Sequence, residues 1–299
     1  MLTVLIGLTS ALVYGAADFL GGTASRRISP VRVTAVAALT GLAVMLVAVA
    51  AVPAFSGHWS GDVIALGALS GVTGAVAIGL LYACLAIGPM SILSPLTAVV
   101  SAIVPLSIGL VGGERLQAIG YVALGLALVA VILVGFVPEK GAVRPSIRGV
   151  LMAVGSGVSI GVFLVIIDQT PDDSGLVPLV VNRAVTAAIM FSAVGLLAVI
   201  AFSRRSVSAA QPVDAHRPAH AWLPGLRLAI ACGIVDAVAN AGLLLGVRIG
   251  ELSIMAVLTA LYPAGTIILA AVVLKERIAP VQVVGLVLAV AAGAMLALA

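Results

Sequence analysis

Ten long apolar runs constrain this sequence more than any other feature. Each has 19 to 27 residues, and about 20 apolar residues let a helix cross the hydrocarbon layer of a membrane. Continuous runs of this length fit helices better than the short alternating strands of a membrane barrel. The runs cover residues 2–22, 30–54, 62–86, 91–111, 116–137, 147–168, 176–202, 224–247, 252–274 and 280–298. The sequence therefore predicts an all-α membrane protein with ten transmembrane helices.

The composition leaves no room for a soluble domain. Of the 299 residues, 63% are hydrophobic and only 9% are charged, whereas soluble domains carry about 25% charged residues. This balance excludes a soluble enzyme, a nucleic-acid binder, a disordered chain and a receptor with a large exposed domain. The longest polar stretch, residues 203–221, is rich in Ser, Ala and Pro and is interpreted as a flexible loop.

The sequence carries no motif for a cofactor or a metal. It has no Gly-x-x-x-x-Gly-Lys phosphate loop and no His-Glu-x-x-His or Cys-x-x-Cys spacing. Cys84 and Cys232 lie inside apolar runs and are interpreted as small packing residues. No nucleophile, base and metal ligand converge at membrane depth. We therefore expect no enzymatic activity, no cofactor and no drive by ATP hydrolysis.

The loops between the apolar runs differ in their basic residues. Loops that follow odd-numbered runs hold twelve Lys and Arg, and the opposite side holds three, which together account for all fifteen. Because basic loops face the cytoplasm, this count predicts that both termini lie outside the plasma (inner) membrane. The first run has no basic segment ahead of it, so it is interpreted as a retained helix and not as a signal peptide.

The chain contains an internal repeat. A shift of 162 residues aligns Gly88–Arg115 with Gly250–Arg277 without a gap, and ten of the 28 positions are identical. The repeat predicts two five-helix units, residues 1–138 and 139–299, within one membrane domain. Because five is odd, the second unit enters the membrane from the opposite face. Secondary transporters are often built from such inverted repeats, with the binding site near the midplane between the halves.

Several motifs resemble those of the EamA-type transporters of the drug/metabolite transporter superfamily. They are the opening Tyr14–Gly22, the segment Tyr82–Ser91, and the Glu-Arg steps at Glu114 and Glu276. The resemblance covers nearly the whole chain. It implies ten helices in two repeats and export of amino acids, drugs or other metabolites. Many members carry an Arg early in the second helix of each repeat, where this chain has Arg183 in one copy and only Ala35 in the other.

Acidic groups at membrane depth are the first candidates for a substrate or proton site, because charged side chains there usually mark function or pair with each other. Asp236 lies in the middle of the eighth run, and Asn240 lies one turn further on the same helix face. A carboxyl there could exchange a proton or pair with an amine. Asp18 in the first run is a second candidate. The alternatives are a hydrogen bond from Asp236 to a neighbouring helix and a contact of Asp18 with Arg26 or Arg27.

A basic group and three tyrosines complete the candidate site. Arg183 could bind a carboxylate or phosphate in a planar fork. The alternative is a salt bridge to one of four acids, namely Asp168, Asp172, Asp173 and Asp236. Tyr14, Tyr82 and Tyr262 could stack on a substrate or face a cation, or could serve only in packing. Since proline removes a backbone hydrogen bond, Pro95, Pro105 and Pro263 predict bent helices along the cavity.

These features favour a secondary transporter. We expect it to export small polar metabolites such as amino acids or amines by alternating access, with proton coupling or exchange. The first alternative is an exporter of cationic drugs or quaternary amines, and the second is a membrane scaffold that transports nothing. Fusion of both repeats in one chain favours a monomer whose partners are the bilayer and a small substrate, with no nucleic acid.

Overall fold

Helices form all the regular structure that is described. The computed structural model describes residues 1–25, 27–87, 90–135, 146–207, 222–273, 275 and 279–298, and no strand occurs among them. Two short 3-10 turns, Pro53–Phe55 and Asp172–Ser174, join helices. The α-helices are α1 (Leu2–Ser25), α2 (Pro30–Ala51), α3 (Gly61–Ile87), α4 (Met90–Val111), α5 (Ala118–Gly135), α6 (Ile147–Asp168), α7 (Val177–Val207), α8 (Trp222–Ile249), α9 (Leu252–Thr259), α10 (Tyr262–Val273) and α11 (Pro280–Leu298).

The helices have the length and composition of membrane spans. Among the described residues, seven helical segments are long and apolar enough to cross a membrane, with Leu252–Val273 counted as one of them. Shorter apolar helices accompany them at Pro95–Val111, Ala118–Val134 and Pro280–Leu296. The prediction of a multi-pass, all-helical membrane protein is therefore confirmed. The count of ten crossings stays a prediction, since the apolar segments described in these three helices fall short of the roughly 20 residues that a crossing needs.

Two of the predicted runs differ from the helices observed. The run 252–274 is two helices, α9 and α10, separated at Ala260 and Leu261. Pro263 follows this break and supplies no backbone N–H, which explains why the ladder of hydrogen bonds stops there. The helix α7 continues to Val207, so the interpretation of residues 203–207 as loop was wrong. The residues 208–221 of that stretch lie outside the described residues.

Helices of the first half pack mainly on helices of the second. The helix α1 packs on α8, α9 and α10, and α3 packs on α6 and α7. Equivalent helices of the two halves have equivalent packing partners. The helix α1 packs on α8 as α6 packs on α3, and α2 packs on α8 as α7 packs on α3. Two units related by a two-fold axis would pack in this pattern. The inverted repeat and its boundaries stay predictions that this packing supports.

Glycines let the two halves approach closely. A Cβ atom at Gly67 would lie 2.9 Å from the Pro178 carbonyl oxygen, and one at Gly157 would lie 2.7 Å from the Thr97 carbonyl oxygen. Both distances are below contact between a methyl group and an oxygen, so only glycine fits where α3 meets α7 and α6 meets α4. Small residues have this role at many helix contacts in membranes.

One helix end is capped by the other half of the chain. Glu114, in the loop after α4, accepts hydrogen bonds from the Leu252 N–H at 2.9 Å and the Ser253 N–H at 3.2 Å. These N–H groups begin α9 and have no partner within their own helix. The carboxylate also complements the positive end of the helix dipole. The Glu114 side chain therefore joins the two halves.

Candidate functional site

A cavity of about 150 Å³ lies among α1, α2, α3, α6, α7, α8 and the break between α9 and α10. An engineered cavity of about this volume holds benzene, so the space admits a group of about six heavy atoms. Its walls are mainly apolar and include Ile160, Phe163 and Leu164. Six of the seven site residues predicted from the sequence line it: Tyr14, Asp18, Arg183, Asp236, Asn240 and Tyr262.

An ion pair crosses one side of the cavity. The Arg183 guanidinium on α7 pairs with the Asp236 carboxylate on α8. Asn240 donates to the Asp236 side-chain oxygen at 3.2 Å and to the Asp236 backbone carbonyl at 2.8 Å. Of the four acids considered as partners of Arg183, the structure places Asp236 there. The pair compensates two charges that would be costly alone at this depth.

Asp18 lies elsewhere on the cavity wall and has no such partner. Its carboxylate makes no ion pair or hydrogen bond within the described part of the chain. Arg26, one of the two basic residues considered as its partner, lies outside the described residues. Asp18 and Asp236 are close enough for their charges to interact. The cavity thus holds two acidic groups and one basic group, of which one acid is uncompensated.

Two of the three predicted tyrosines line the cavity, and the side chain of the third lies outside the described residues. Tyr14 on α1 packs against both of the large hydrophobic clusters and faces the cavity between them. The buried Tyr262 side chain begins α10 and also lines the cavity. The third predicted tyrosine, Tyr82, belongs to α3, but its side chain lies outside the described residues. The rings of Tyr14 and Tyr262 give the cavity two aromatic faces.

The sequence interpretation missed two polar residues on α7. Asn182 donates to the Ser70 hydroxyl at 3.0 Å, and Thr186 donates to the Gly71 carbonyl at 3.0 Å. Both line the cavity beside Arg183 and fasten α7 to α3. Their spacing of four residues on one helix face was the available signal, but neither carries a charge that would attract notice in an apolar run.

Three polar atoms beside the cavity lack hydrogen-bond partners. They are Arg183 Nε, Thr259 Oγ1 and Tyr262 OH, which are buried and have no partner within the described residues. Buried polar atoms in proteins nearly always have a partner, which is often a water molecule or a ligand. A hydroxyl whose bonding depends on a helix break cannot be identified before the break is known.

The fold and the cavity define the class of this protein. It is an integral, multi-pass, all-helical membrane protein with a charged cavity between its two halves. The chain belongs to the EamA-like transporter family, whose model matches residues 1–136 and 147–298. This confirms the resemblance found in the sequence and places the protein among the transporters of the drug/metabolite superfamily.

Comparison with solved structures shows the same fold. One crystal structure matches with a TM-score of 0.69 and 18% sequence identity, over 99% of this chain and 98% of the other. A similarity at this identity shows the architecture alone. No curated protein matches the sequence significantly.

Proposed function

We propose that this protein is a secondary transporter that exports small polar metabolites, such as amino acids or amines, by alternating access. The observation that carries the proposal is the charged cavity between the halves of an EamA-family chain. Sites of inverted-repeat transporters lie in this position, near the midplane and at the contact of the repeats. The volume of about 150 Å³ suits a small metabolite.

The charges of the cavity support a substrate with an amino group. Arg183 and Asp236 compensate one another, so the uncompensated Asp18 leaves the cavity negative when it is ionised. Either a proton or an amine restores neutrality at this depth, where an isolated charge is costly. A proton and a cationic substrate therefore compete for the same carboxylates. This competition is the physical basis for proton coupling or exchange.

The packing of the halves supports rocking as the mode of transport. The cavity walls come from α1 and α3 of the first half and from α6, α7 and α8 of the second. Movement of one half against the other opens the cavity to one face of the membrane and then to the other. The loop charges favour termini on the outer side of the plasma membrane, and the fused halves favour a monomer that needs only the bilayer and its substrate.

The apolar walls support a second candidate within the same class. Ile160, Phe163 and Tyr14 would surround the alkyl groups of a quaternary amine, and aromatic rings attract such cations. A cationic drug would also satisfy the carboxylates. The two candidates differ in size, because a drug requires a cavity wider than the one described. A scaffold that transports nothing would leave the uncompensated Asp18 without a role.

Transport in liposomes tests the proposal. Purified protein is reconstituted with a pH-sensitive dye inside, and amino acids, linear amines and quaternary amines are added in turn. We expect one class of small amine or amino acid to move protons with native protein, and Asp236→Asn and Asp18→Asn to abolish the signal. Asp62→Asn is the matched control, because Asp62 lies exposed in the first turn of α3.

Counterflow completes the test when no proton moves. Labelled substrate at equal pH on both sides still exchanges through an uncoupled carrier. Exchange limited to bulky quaternary amines would favour the second candidate. The absence of both proton movement and counterflow for every compound would contradict the transporter proposal and favour the scaffold.

A further inference from the structure

The break between α9 and α10 brings unsatisfied oxygen atoms to one side of the cavity. We infer that the ammonium group of the transported molecule binds there, between Asp18 and the hydroxyls of Thr259 and Tyr262. This inference rests on the proposed function and makes it more specific. It names primary amines as the substrate class and Asp18, not the paired Asp236, as the residue that selects them.

The backbone at the break supplies the first acceptors. The Leu261 N–H donates to the Leu258 carbonyl at 3.1 Å and the Ala264 N–H to the Leu261 carbonyl at 2.9 Å, each three residues back. Pro263 has no N–H, so the Thr259 carbonyl lacks the donor that a continuous helix would provide. The carbonyls that end α9 also carry the negative end of its dipole. Ends of broken helices and their unwound carbonyls bind cations in other transporters.

Two side-chain hydroxyls flank the same break. Thr259 ends α9 and Tyr262 begins α10. Thr259 is 8% exposed and Tyr262 is 9% exposed, yet neither hydroxyl oxygen has a partner within the described residues. Both residues line the cavity. A ligand that donates several hydrogen bonds would satisfy both oxygens together.

Close packing joins α1 to α10 just beyond the break. The Thr266 hydroxyl on α10 donates to the Gly15 carbonyl on α1 at 3.1 Å. A Cβ atom at Gly15 would lie 2.6 Å from the Thr266 backbone nitrogen, so the two backbones are in contact. Asp18 lies three residues beyond Gly15 and hence on the same face of α1. Its carboxylate faces the cavity that the break also lines.

The chemistry of these groups fits a primary ammonium. Such a group has three donors and no acceptor, and the site offers a carboxylate, two hydroxyls and a free carbonyl. Asp236 is less suited, because Arg183 and Asn240 already donate to it. The two acids of the cavity thus have different roles: Asp236 is neutralised within the protein, and Asp18 is left for a cation.

Binding of a small amine tests the inference without requiring transport. Full-length protein in lipid nanodiscs is dialysed against labelled butylamine, and unlabelled butylamine, 1-butanol and sodium chloride are the competitors. Butanol has nearly the shape of butylamine but no charge. We expect butanol to compete about tenfold to a hundredfold more weakly, which is the usual value of a charge-assisted hydrogen bond.

Substitutions locate the site. We expect Asp18→Asn to weaken butylamine binding about tenfold or more, and Thr259→Val and Tyr262→Phe to weaken it about threefold to tenfold each. The last two remove hydroxyls without described partners, so the fold tolerates them even if Asp18→Asn fails to fold. Asp62→Asn and Tyr121→Phe are matched controls at exposed positions and keep native affinity.

The outcomes separate this inference from the proposed function. Native affinity in Asp18→Asn, Thr259→Val and Tyr262→Phe overturns the inference, even where transport is observed. Binding of labelled sodium that is lost in Asp18→Asn, with butylamine binding intact, also overturns it, since the site would then hold a metal cation. Butylamine that binds with the expected pattern, but no transport of any compound, contradicts the proposed function and leaves this site in place.

Discussion

The helix α4 and the pair α9–α10 come from equivalent segments of the repeat but differ in structure. The shift of 162 residues aligns Met90–Val111 with Leu252–Val273. The first segment is one continuous helix with Pro95 and Pro105 inside it. The second is interrupted at Ala260 and Leu261. Where the first copy has Ser101, the second has Pro263, whose missing N–H falls at the interruption.

The two segments also differ in the role of one threonine that they share. Thr97 and Thr259 are identical positions of the repeat. The Thr97 hydroxyl donates to the Leu93 carbonyl at 3.0 Å and the Ala153 carbonyl at 3.2 Å. The Thr259 hydroxyl has no partner within the described residues and lies at the cavity. The same residue thus fixes α4 to α6 in one copy and has no described hydrogen bond in the other.

Reciprocal substitution of Ser101 and Pro263 tests this comparison with the largest expected effect. Ser101→Pro inserts proline into the middle of α4, removes a hydrogen bond to the Thr97 carbonyl and lowers the free energy of unfolding by about 3 kcal/mol. Pro263→Ser changes it by less than about 1 kcal/mol, since Pro263 already lies in the first turn of α10. Thermal unfolding in detergent measures both. A greater loss in Pro263→Ser would mean that the proline does not cause the break.

The variant Gly265→Ala tests whether close packing against α1 stabilises the segment after the break. A Cβ atom at Gly265 would lie 2.7 Å from the Leu12 carbonyl oxygen, so Gly265→Ala forces the helices apart and costs about 1–3 kcal/mol. The equivalent residue of the first copy is Ile103, which is 44% exposed. Ile103→Ala is the matched control and changes the unfolding temperature little. Equal shifts in both variants would contradict the asymmetry of the two segments.

Glu114→Ala tests the cap that joins the halves. It leaves the Leu252 and Ser253 N–H groups without their acceptor and costs about 1 kcal/mol, the usual value of a lost helix cap. Arg115→Ala changes an exposed neighbour and serves as the control. Unfolding temperature in detergent is the measurement. If the two variants melt alike, the hydrogen bonds of Glu114 add nothing to stability.

The smallest expected effects on stability come from substitutions of the two equivalent threonines, Thr97 and Thr259. Thr97→Val removes a hydrogen bond between α4 and α6 and lowers stability by about 0.6 kcal/mol, the average measured for such bonds in a membrane protein. Thr259→Val leaves stability unchanged, since no described bond is lost. In butylamine binding we expect the reverse order, so that Thr259→Val has a larger effect on affinity than Thr97→Val. An equal loss of stability in both would show that Thr259 has a structural partner.

The sequence predicted the helices better than it predicted their interruption. Hydropathy and length located the apolar segments because a membrane span has few alternatives. Proline alone does not decide where a helix breaks: Pro95 and Pro105 lie within α4, whereas α9 ends ahead of Pro263. Neighbouring helices decide whether the freed carbonyl is accommodated, and those neighbours are unknown from one apolar run.

The candidate site was predicted in its charged residues and in Tyr14, Asn240 and Tyr262, but other neutral residues were missed. Asp18, Arg183 and Asp236 are conspicuous in an apolar chain, and they line one cavity. Their pairing could not be derived, since Arg183 had several acidic candidates at similar depth in the sequence. Asn182 and Thr186 were overlooked because uniform hydrophobicity hides which side of a membrane helix faces inward.

The exchange of partners between the halves has a consequence for synthesis. Leu252, whose N–H is capped by the Glu114 carboxylate, is the 138th residue that the ribosome adds after Glu114. Until α8 and α10 leave the translocation channel, α1 has none of its principal packing partners, and Asp18 faces lipid or water in place of a closed cavity. The first half is therefore incompletely packed in the membrane until the second half has been inserted. Its helices expose their packing surfaces to lipid until the last segment is inserted.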